Sequence, residues 1–164
     1  AGPVDAVQSE YSLWSRYPDL GLVQTCQELG VAFVPFSPLG RGIFGTKTPD
    51  PQSFPENDFR YKTPRFSEPN FSRNVAKVAE FKTLAADLET SPITLAMAWC
   101  LARGDHLLPI PGTRTADHLR ECAASSEFNM TDEIMARIET VLPVGWAYGD
   151  RYSWLQWLGA EGYC

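Results

Sequence analysis

The sequence predicts an α/β domain with parallel strands, from its composition and from the order of its apolar patterns. Its 164 residues are 44% hydrophobic and 21% charged, which is enough apolar material for one globular core. Three short apolar runs at residues 6–11, 31–36 and 107–110 are typical of strands, and stretches of helical periodicity separate them. This alternation favours parallel pairing, because a helix then returns the chain to the start of the next strand.

The first two predicted strands and the helix between them form one βαβ unit. Residues 20–29 place apolar side chains at helical spacing, and Gly30 marks the end of this helix. A long irregular stretch at 40–69 follows the second strand and contains five prolines. Loops of this length are usually functional lids or disordered segments.

Four more helices are predicted from their caps and apolar stripes. Their predicted N-caps are, in order, Asn70, Ser91, Thr115 and Thr131. The first helix carries an apolar stripe from Phe71 to Leu88, while the second has Pro92 at its first position and Gly104 at its end. The chain thus divides into a body over 1–143 and a tail over 144–164. Six Trp and Tyr side chains in the tail either border a substrate or plug the base of the fold: Trp146, Tyr148, Tyr152, Trp154, Trp157 and Tyr163.

Composition and charge argue against several classes of function. A net charge of −6 leaves no basic surface for nucleic acid, and no apolar run reaches the ~20 residues of a membrane span. The four cysteines form no C-x-x-C pair and come with two histidines, so no metal site is predicted. Buried thiols in a reducing compartment fit best, which predicts a cytoplasmic protein. The start of the chain has no signal-peptide character, and because it lacks an initiator Met we expect a processed piece of a longer protein.

Two loops have the composition of phosphate-binding turns. Residues 40–45 spell G-x-G-x-x-G after the second strand, but the prolines that follow prevent a helix from opening there, so the dinucleotide fingerprint of doubly wound folds is not predicted. A tight turn and close approach to a ligand are both open for this segment. Residues 108–115 lead from a strand into a capped helix, where free N–H groups, Arg114 and His118 would attract phosphate. The alternative is an ordinary loop with an exposed arginine.

The first strand carries two polar side chains near its carboxyl end. Gln8 and Glu10 share one face, at the end where (β/α) barrels place their chemistry. A charged group in a parallel strand needs a partner or water. Glu10 is therefore either a site residue or the partner of a structural arginine.

Several segments, in order along the chain, resemble the aldo/keto reductase family. They are residues 7–14, VQSEYSLW; 34–42, VPFSPLGRG; 56–60, ENDFR; 64–66, PRF; 95–99, LAMAW; 110–113, IPGT; and 149–152, GDRY. The resemblance covers essentially the whole chain and implies the C-terminal half of that family's (β/α)8 barrel, with the sixth to eighth strands. It also implies NADP(H) as the cofactor and a small carbonyl compound as the substrate.

The resemblance implies a role for twelve residues in cofactor binding. Gln8 corresponds to the family's contact to the nicotinamide carboxamide, and Phe36 to the aromatic residue that stacks on the nicotinamide ring. The loop after the second strand implies pyrophosphate contacts from Ser37, Leu39 and Arg41. The last loop and helix imply contacts to the adenosine phosphate and adenine from Gly112, Thr113, Arg114, Thr115, His118, Glu121 and Cys122. Two of these depart from the family pattern, since His118 replaces an Arg and Cys122 an Asn.

The family's catalytic Asp, Tyr, Lys and His come from the first five strand and loop units, so the resemblance implies no catalytic residue in this chain. Three strands also leave two open edges, whereas a barrel closes on itself. We therefore expect the chain to be inactive alone and to pair with a missing N-terminal half or with itself. The alternative function is a non-enzymatic half-barrel that serves as an interaction or nucleotide-sensing module.

Overall fold

The protein is represented by a computed structural model that describes residues 2–157, and its first regular elements follow the order strand, helix, strand. The strands are β1 (Ala6–Glu10) and β2 (Ala32–Phe36). The helices are α1 (Leu22–Leu29), α2 (Asn70–Asp87), α3 (Pro92–Leu101), α4 (Ala116–Ala124) and α5 (Asp132–Val141). The sheet is parallel, and its register runs from Ala6 opposite Ala32 to Glu10 opposite Phe36.

The third predicted strand is not formed as a strand. Residues 107–110 touch β2 through two isolated parallel bridges, Phe33 to Leu107 and Phe36 to Ile110. The Leu108 amide donates to the Phe33 carbonyl oxygen at 2.8 Å, and the Ile110 amide to the Pro35 carbonyl oxygen at 3.0 Å. Between these two bonds Pro35 has no N–H to donate to the Leu108 carbonyl oxygen, so the ladder is interrupted there. The segment still lies beside β2 in a parallel direction.

The two faces of the sheet differ in burial. On one face Phe33 and Ser9 are buried, and the helices cover it with a core that includes the fully buried Trp99. On the other face Gln8 is exposed, and Leu108 and Ile110 are 56% and 48% exposed. Parallel strands are normally covered on both sides, whereas among residues 2–157 this face is left largely open.

The long loop at 40–69 is folded. It contains four 3-10 turns, at Gly40–Gly42, Pro51–Ser53, Phe59–Lys62 and Pro64–Phe66. Its apolar side chains enter the core, where Phe44 and Phe66 both pack edge-on or tilted against Trp14. Tertiary burial of aromatic side chains thus orders a segment whose proline content disfavours helices and strands.

Most predicted helix ends are confirmed. Ser91, Thr115 and Thr131 each accept a hydrogen bond from the amide three residues later. Gly30 ends α1 in the left-handed conformation, with φ of 66°. Asn70 was expected to be a cap, but it is the first residue of α2, and its side-chain amide donates to the Pro64 carbonyl oxygen at 3.2 Å. Its side chain therefore fastens the long loop instead of the helix end.

The tail begins inside the core. Trp146 is buried, stacks on Trp14 with 6.1 Å between ring centroids, and donates from Nε1 to the Leu13 carbonyl oxygen at 2.7 Å. Tyr163 and Cys164 lie outside the described residues. The other three thiols, Cys26, Cys100 and Cys122, are buried and free. Among residues 2–157, no helix has the length and hydropathy of a membrane span, and no cluster of three metal-ligating side chains occurs.

Candidate functional site

The carboxyl ends of three parallel segments lie side by side at one edge of the sheet. Glu10 ends β1 opposite Phe36, which ends β2, and Phe36 in turn bridges to Ile110. The loops that start at residues 37 and 111 therefore leave the same edge. In parallel α/β folds this edge is where ligands bind. The parallel register thus brings together the two loops that the sequence singles out.

The first loop is a tight turn built on left-handed residues. Ser37 has φ of 52° and Gly40 φ of 55°. The Gly40 amide donates to the Ser37 carbonyl oxygen at 2.9 Å, and a Cβ at Gly40 would lie 2.8 Å from Trp14 and Ile43 side-chain atoms. No α-helix opens on this turn, since the next one along the described chain is α2. The glycines serve turn geometry and close packing.

Arg41 is engaged by the protein itself. Its guanidinium donates to a Glu10 carboxylate oxygen at 2.6 Å and to the Arg151 carbonyl oxygen at 2.8 Å. The rings of Phe59 and Tyr152 lie 4.5 and 4.9 Å from its Cζ atom. Its side chain is only 11% exposed. The resemblance implies a pyrophosphate contact for Arg41, whereas the structure places its charge on a carboxylate.

Glu10 is therefore the partner of structural arginines. It is 2% exposed, and besides Arg41 it faces the Arg151 Nε at 4.0 Å. Ser15 donates from its hydroxyl to the other carboxylate oxygen at 2.9 Å. Sequence reasoning missed Arg151, which is fully buried with its Cζ 4.5 Å from the rings of Tyr17 and Tyr152. A buried acid in a strand requires a cation, but that signal does not identify which arginine supplies it.

The second loop is open to solvent. Gly112, Arg114 and His118 are exposed, and Thr113 is half-buried. Thr115 caps α4 by accepting from the His118 amide at 3.2 Å. The start of α4 thus presents backbone N–H groups and two basic side chains to solvent, which is an arrangement that attracts phosphate.

Asp58 in the long loop is held by Arg60 and feels the charge of Arg114 in the second loop. The pKa of the Asp58 carboxyl is lowered mainly by its hydrogen bonds with the Arg60 guanidinium, and more weakly by the charge of Arg114. The Arg60 guanidinium holds both Asp58 oxygens, at 3.0 and 2.7 Å, and lies 4.0 Å from the Phe54 ring. Arg60 also donates to the Arg41 carbonyl oxygen at 3.3 Å. Arg60 therefore ties the long loop to the first loop of the candidate site.

The remaining predicted residues differ in their access to a ligand. Gln8 is exposed on the open face of β1, and Phe36 is half-buried at the end of β2. Glu121 is half-buried and lies 3.5 Å from the Thr46 hydroxyl. The resemblance implies that Cys122 contacts adenine. In the structure Cys122 is buried in a small apolar cluster with Ile93 and Met97, and Leu39 packs against this cluster. Burial raises the pKa of the Cys122 thiol, so it is held as a neutral core group.

The comparison with family models decides the family. Residues 2–143 match the model described as "Aldo/keto reductase family". The chain belongs to the aldo/keto reductase family. The resemblance found in the sequence is thereby confirmed at the level of the family.

Curated relatives match the chain over part of their length. An aldo-keto reductase of Schizosaccharomyces pombe, whose name specifies NADP(+), is 36% identical over 92% of this chain and 45% of its own length. A probable aldo-keto reductase of Glycine max is 35% identical over 92% of this chain and 43% of its own. An aldo-keto reductase of Strobilurus tenacellus is 35% identical over 91% and 45%. The chain spans less than half of each relative.

Solved structures support the fold. A glycerol dehydrogenase from Gluconobacter oxydans superposes with a TM-score of 0.77 at 23% identity, over 86% of this chain and 43% of that one. A thermostable aldo-keto reductase solved with the inhibitor epalrestat gives a TM-score of 0.59 at 22% identity, over 85% and 40%. The aldo/keto reductase chain thus has an α/β fold similar to part of these enzymes.

Proposed function

We propose that this chain is the cofactor-binding C-terminal half of an NADP(H)-dependent aldo/keto reductase, which in its complete form reduces aldehydes or ketones. The half would supply the sixth to eighth strand positions of the barrel. The catalytic Asp, Tyr, Lys and His would belong to the part of the protein that precedes it. On this proposal the chain binds the dinucleotide and does not turn over a carbonyl by itself.

The observation that carries the proposal is the meeting of two loops at one sheet edge. The pair Glu10 to Phe36 and the bridge Phe36 to Ile110 hold the starts of both loops next to one another. One loop offers a left-handed turn with little side-chain bulk, and the other offers an open helix start with Arg114 and His118. A dinucleotide has two phosphate-bearing ends, and such paired turns suit it.

The fit of the residues to NADP(H) differs along the cofactor. Arg114 is exposed and forked, so it suits bidentate contact with a 2′-phosphate, and the α4 start adds N–H groups to the same anion. Gln8 has a free amide on the open face, and Phe36 presents a ring at the sheet edge, which suits the nicotinamide end. NADP(H) itself supplies hydride transfer when bound. With Arg41 paired to Glu10, we assign pyrophosphate contacts to the Ser37 side chain and the turn backbone instead of the Arg41 guanidinium.

The open face of the sheet supports the assignment as half a barrel. Gln8, Leu108 and Ile110 lie uncovered on it, although a parallel sheet needs cover on both faces. The relatives are more than twice as long as the matched region, so they contain enough further chain to supply the remaining strands. We propose that this further chain, or a second copy in its absence, covers the face.

A binding titration and a complementation assay test the proposal. Tryptophan fluorescence of the chain is measured while NADPH is added, and saturable quenching is expected because five Trp residues report on the fold. The chain is then mixed with the segment of the Schizosaccharomyces pombe relative that precedes the matched region, and NADPH-dependent carbonyl reduction is expected only from the mixture. The segment that follows the matched region is the matched control.

Two results would overturn the proposal. One is carbonyl reduction by this chain alone, which would place the proton donor within it. The other is activity restored by the following segment and not by the preceding one, which would assign the chain to the first half of the barrel.

A further inference from the structure

The turn that carries Arg41 has a backbone conformation that its own side chain disfavours. Arg41 has φ of 57° and ψ of 31°, between Gly40 at φ 55° and Gly42 at φ 96°. Glycine adopts this left-handed region without a steric penalty, whereas an L-residue with a Cβ does not. Arg41 therefore needs contacts from elsewhere in the fold to stay there.

Those contacts come from β1 and from the tail. The Arg41 guanidinium bonds to Glu10 at 2.6 Å and to the Arg151 carbonyl oxygen at 2.8 Å, and it lies between the rings of Phe59 and Tyr152. Two of these partners, Arg151 and Tyr152, are more than a hundred residues away in sequence. The turn is thus held by a clamp, which we define as Glu10, Arg41, Arg151 and the two rings.

Glu10 is the fixed end of the clamp. It ends β1, and its second carboxylate oxygen accepts from the Ser15 hydroxyl at 2.9 Å, which in turn accepts from the Arg65 guanidinium at 2.9 Å. Burial, and after it the charge of Glu10, raises the pKa of the Tyr152 hydroxyl. Its burial leaves the carboxylate little freedom, so its position sets that of the Arg41 guanidinium.

We propose that Glu10 is a positioning residue for dinucleotide binding: through Arg41 it fixes the turn after β2, and the tail at 149–157 is part of the same clamp. The inference rests on the proposed function for its ligand and on the clamp geometry for its structural part. Arg151 and Tyr152 thereby acquire a role in cofactor binding although they lie in the tail.

The sign of one measurement separates this inference from a direct role of Arg41. If Arg41 were a phosphate ligand held back by Glu10, then Glu10→Gln would free it and remove a negative charge, and both changes would tighten the binding of an anion. If Glu10 positions the turn, Glu10→Gln weakens binding in spite of the more favourable charge. We expect the dissociation constant for NADPH to rise about tenfold, which corresponds to about 1.4 kcal/mol.

The experiment compares wild type, Glu10→Gln and a matched control in the full chain. NADPH affinity is measured by tryptophan fluorescence at a temperature where every variant is folded, so loss of stability alone does not lower affinity. Glu139→Gln is the control, because it removes the same charge from another carboxylate that pairs with a buried arginine, Arg16, at 3.1 Å. Its NADPH affinity should equal that of wild type.

Hydrogen exchange supplies a readout that needs no ligand. In Glu10→Gln, amides at 37–45 and at 149–157 should lose protection together, whereas those of α5 should not change. Retained protection in both segments, or unchanged or tighter NADPH binding, overturns the inference. If wild type binds no NADPH, the proposed function fails, and hydrogen exchange alone then tests whether Glu10 holds the turn and the tail in place. Should Glu10→Gln not fold, Glu10→Asp keeps the charge between the two arginines but draws the carboxylate back by one methylene, and it is tested in the same way: positioning by Glu10 again predicts weaker NADPH binding and lost protection at 37–45.

Discussion

The two loops at the sheet edge use their arginines in opposite ways. Arg41 is 11% exposed and its charge is matched by Glu10, whereas Arg114 is exposed at the start of α4. An arginine that is buried with a carboxylate has already exchanged water for protein contacts, so its charge is neutralised within the protein and is not available to a ligand. An exposed arginine keeps its fork for a ligand. The comparison indicates that burial, more than residue type, decides which arginine holds structure and which is available to phosphate.

The largest expected difference between Arg41 and Arg114 is the effect of alanine substitution on the free energy of unfolding. Arg41→Ala strands the buried Glu10 carboxylate and should lower the free energy of unfolding by about 3 kcal/mol. Arg114→Ala removes an exposed side chain and should change it by less than about 0.5 kcal/mol. Urea denaturation followed by circular dichroism measures both. Similar losses for the two variants would remove the distinction between the loops.

Binding should show the reverse preference. Arg114→Ala should raise the dissociation constant for NADPH about tenfold, about 1.4 kcal/mol, and that for NADH much less, because NADH has no 2′-phosphate. Arg120→Ala is the control, since Arg120 lies exposed on the same helix and pairs with Asp117. Fluorescence titration of wild type and of both variants with NADPH and with NADH gives the dissociation constants to be compared. Equal losses for NADPH and NADH would contradict the role assigned to Arg114.

The N-terminus of α4 should contribute less to NADPH affinity than the charge of Arg114 does. Thr115→Ala removes the cap on the His118 amide and should cost about 1 kcal/mol of stability together with a few-fold loss of NADPH affinity, because the first turn frays. Thr131→Ala removes an equivalent cap at 3.3 Å on α5 and should cost similar stability with no change in affinity. Loss of affinity in both variants would show that the effect is global.

What the sequence predicts about this molecule is what short-range chemistry determines. The caps at Ser91, Thr115 and Thr131 and the turn at Gly30 follow from residues within one helical turn, and the structure confirms them. The third strand was wrong because proline removes donors from a ladder that apolar pattern alone favours. The apolar pattern correctly places residues 107–110 beside β2, but the available N–H donors decide whether they form a continuous strand.

The site was predicted to the level of its loops and not to the level of each side chain. Arg114 and His118 are exposed as expected, since a polar loop before a capped helix faces solvent. The partners of Arg41 come from β1 and from the tail, at sequence separations of 31 and 110, and no pattern around residue 41 indicates them. Cys122 is buried because the packing of α4 on α3 turns it toward Ile93. Such long-range contacts leave no local signal.

The smallest expected effect tests whether the long loop bridges the two arginine loops. Arg60 lowers the pKa of Asp58 most, by hydrogen bonding, and Arg114 lowers it further through its charge. Arg114→Ala should therefore raise the Asp58 pKa slightly toward its ordinary value, and Arg60→Ala should raise it more. A carboxyl with a depressed pKa stabilises the fold above its ordinary pKa, and that stability is lost as the pH falls from the ordinary value to the folded value. In both variants this contribution should therefore be smaller, and its loss should be complete at a higher pH. NMR titration of the Asp58 side-chain carboxyl between about pH 2 and about pH 6, which brackets the ordinary pKa of Asp, measures the shifts. An unchanged Asp58 pKa in Arg114→Ala would mean that the long loop and the second loop are electrostatically independent.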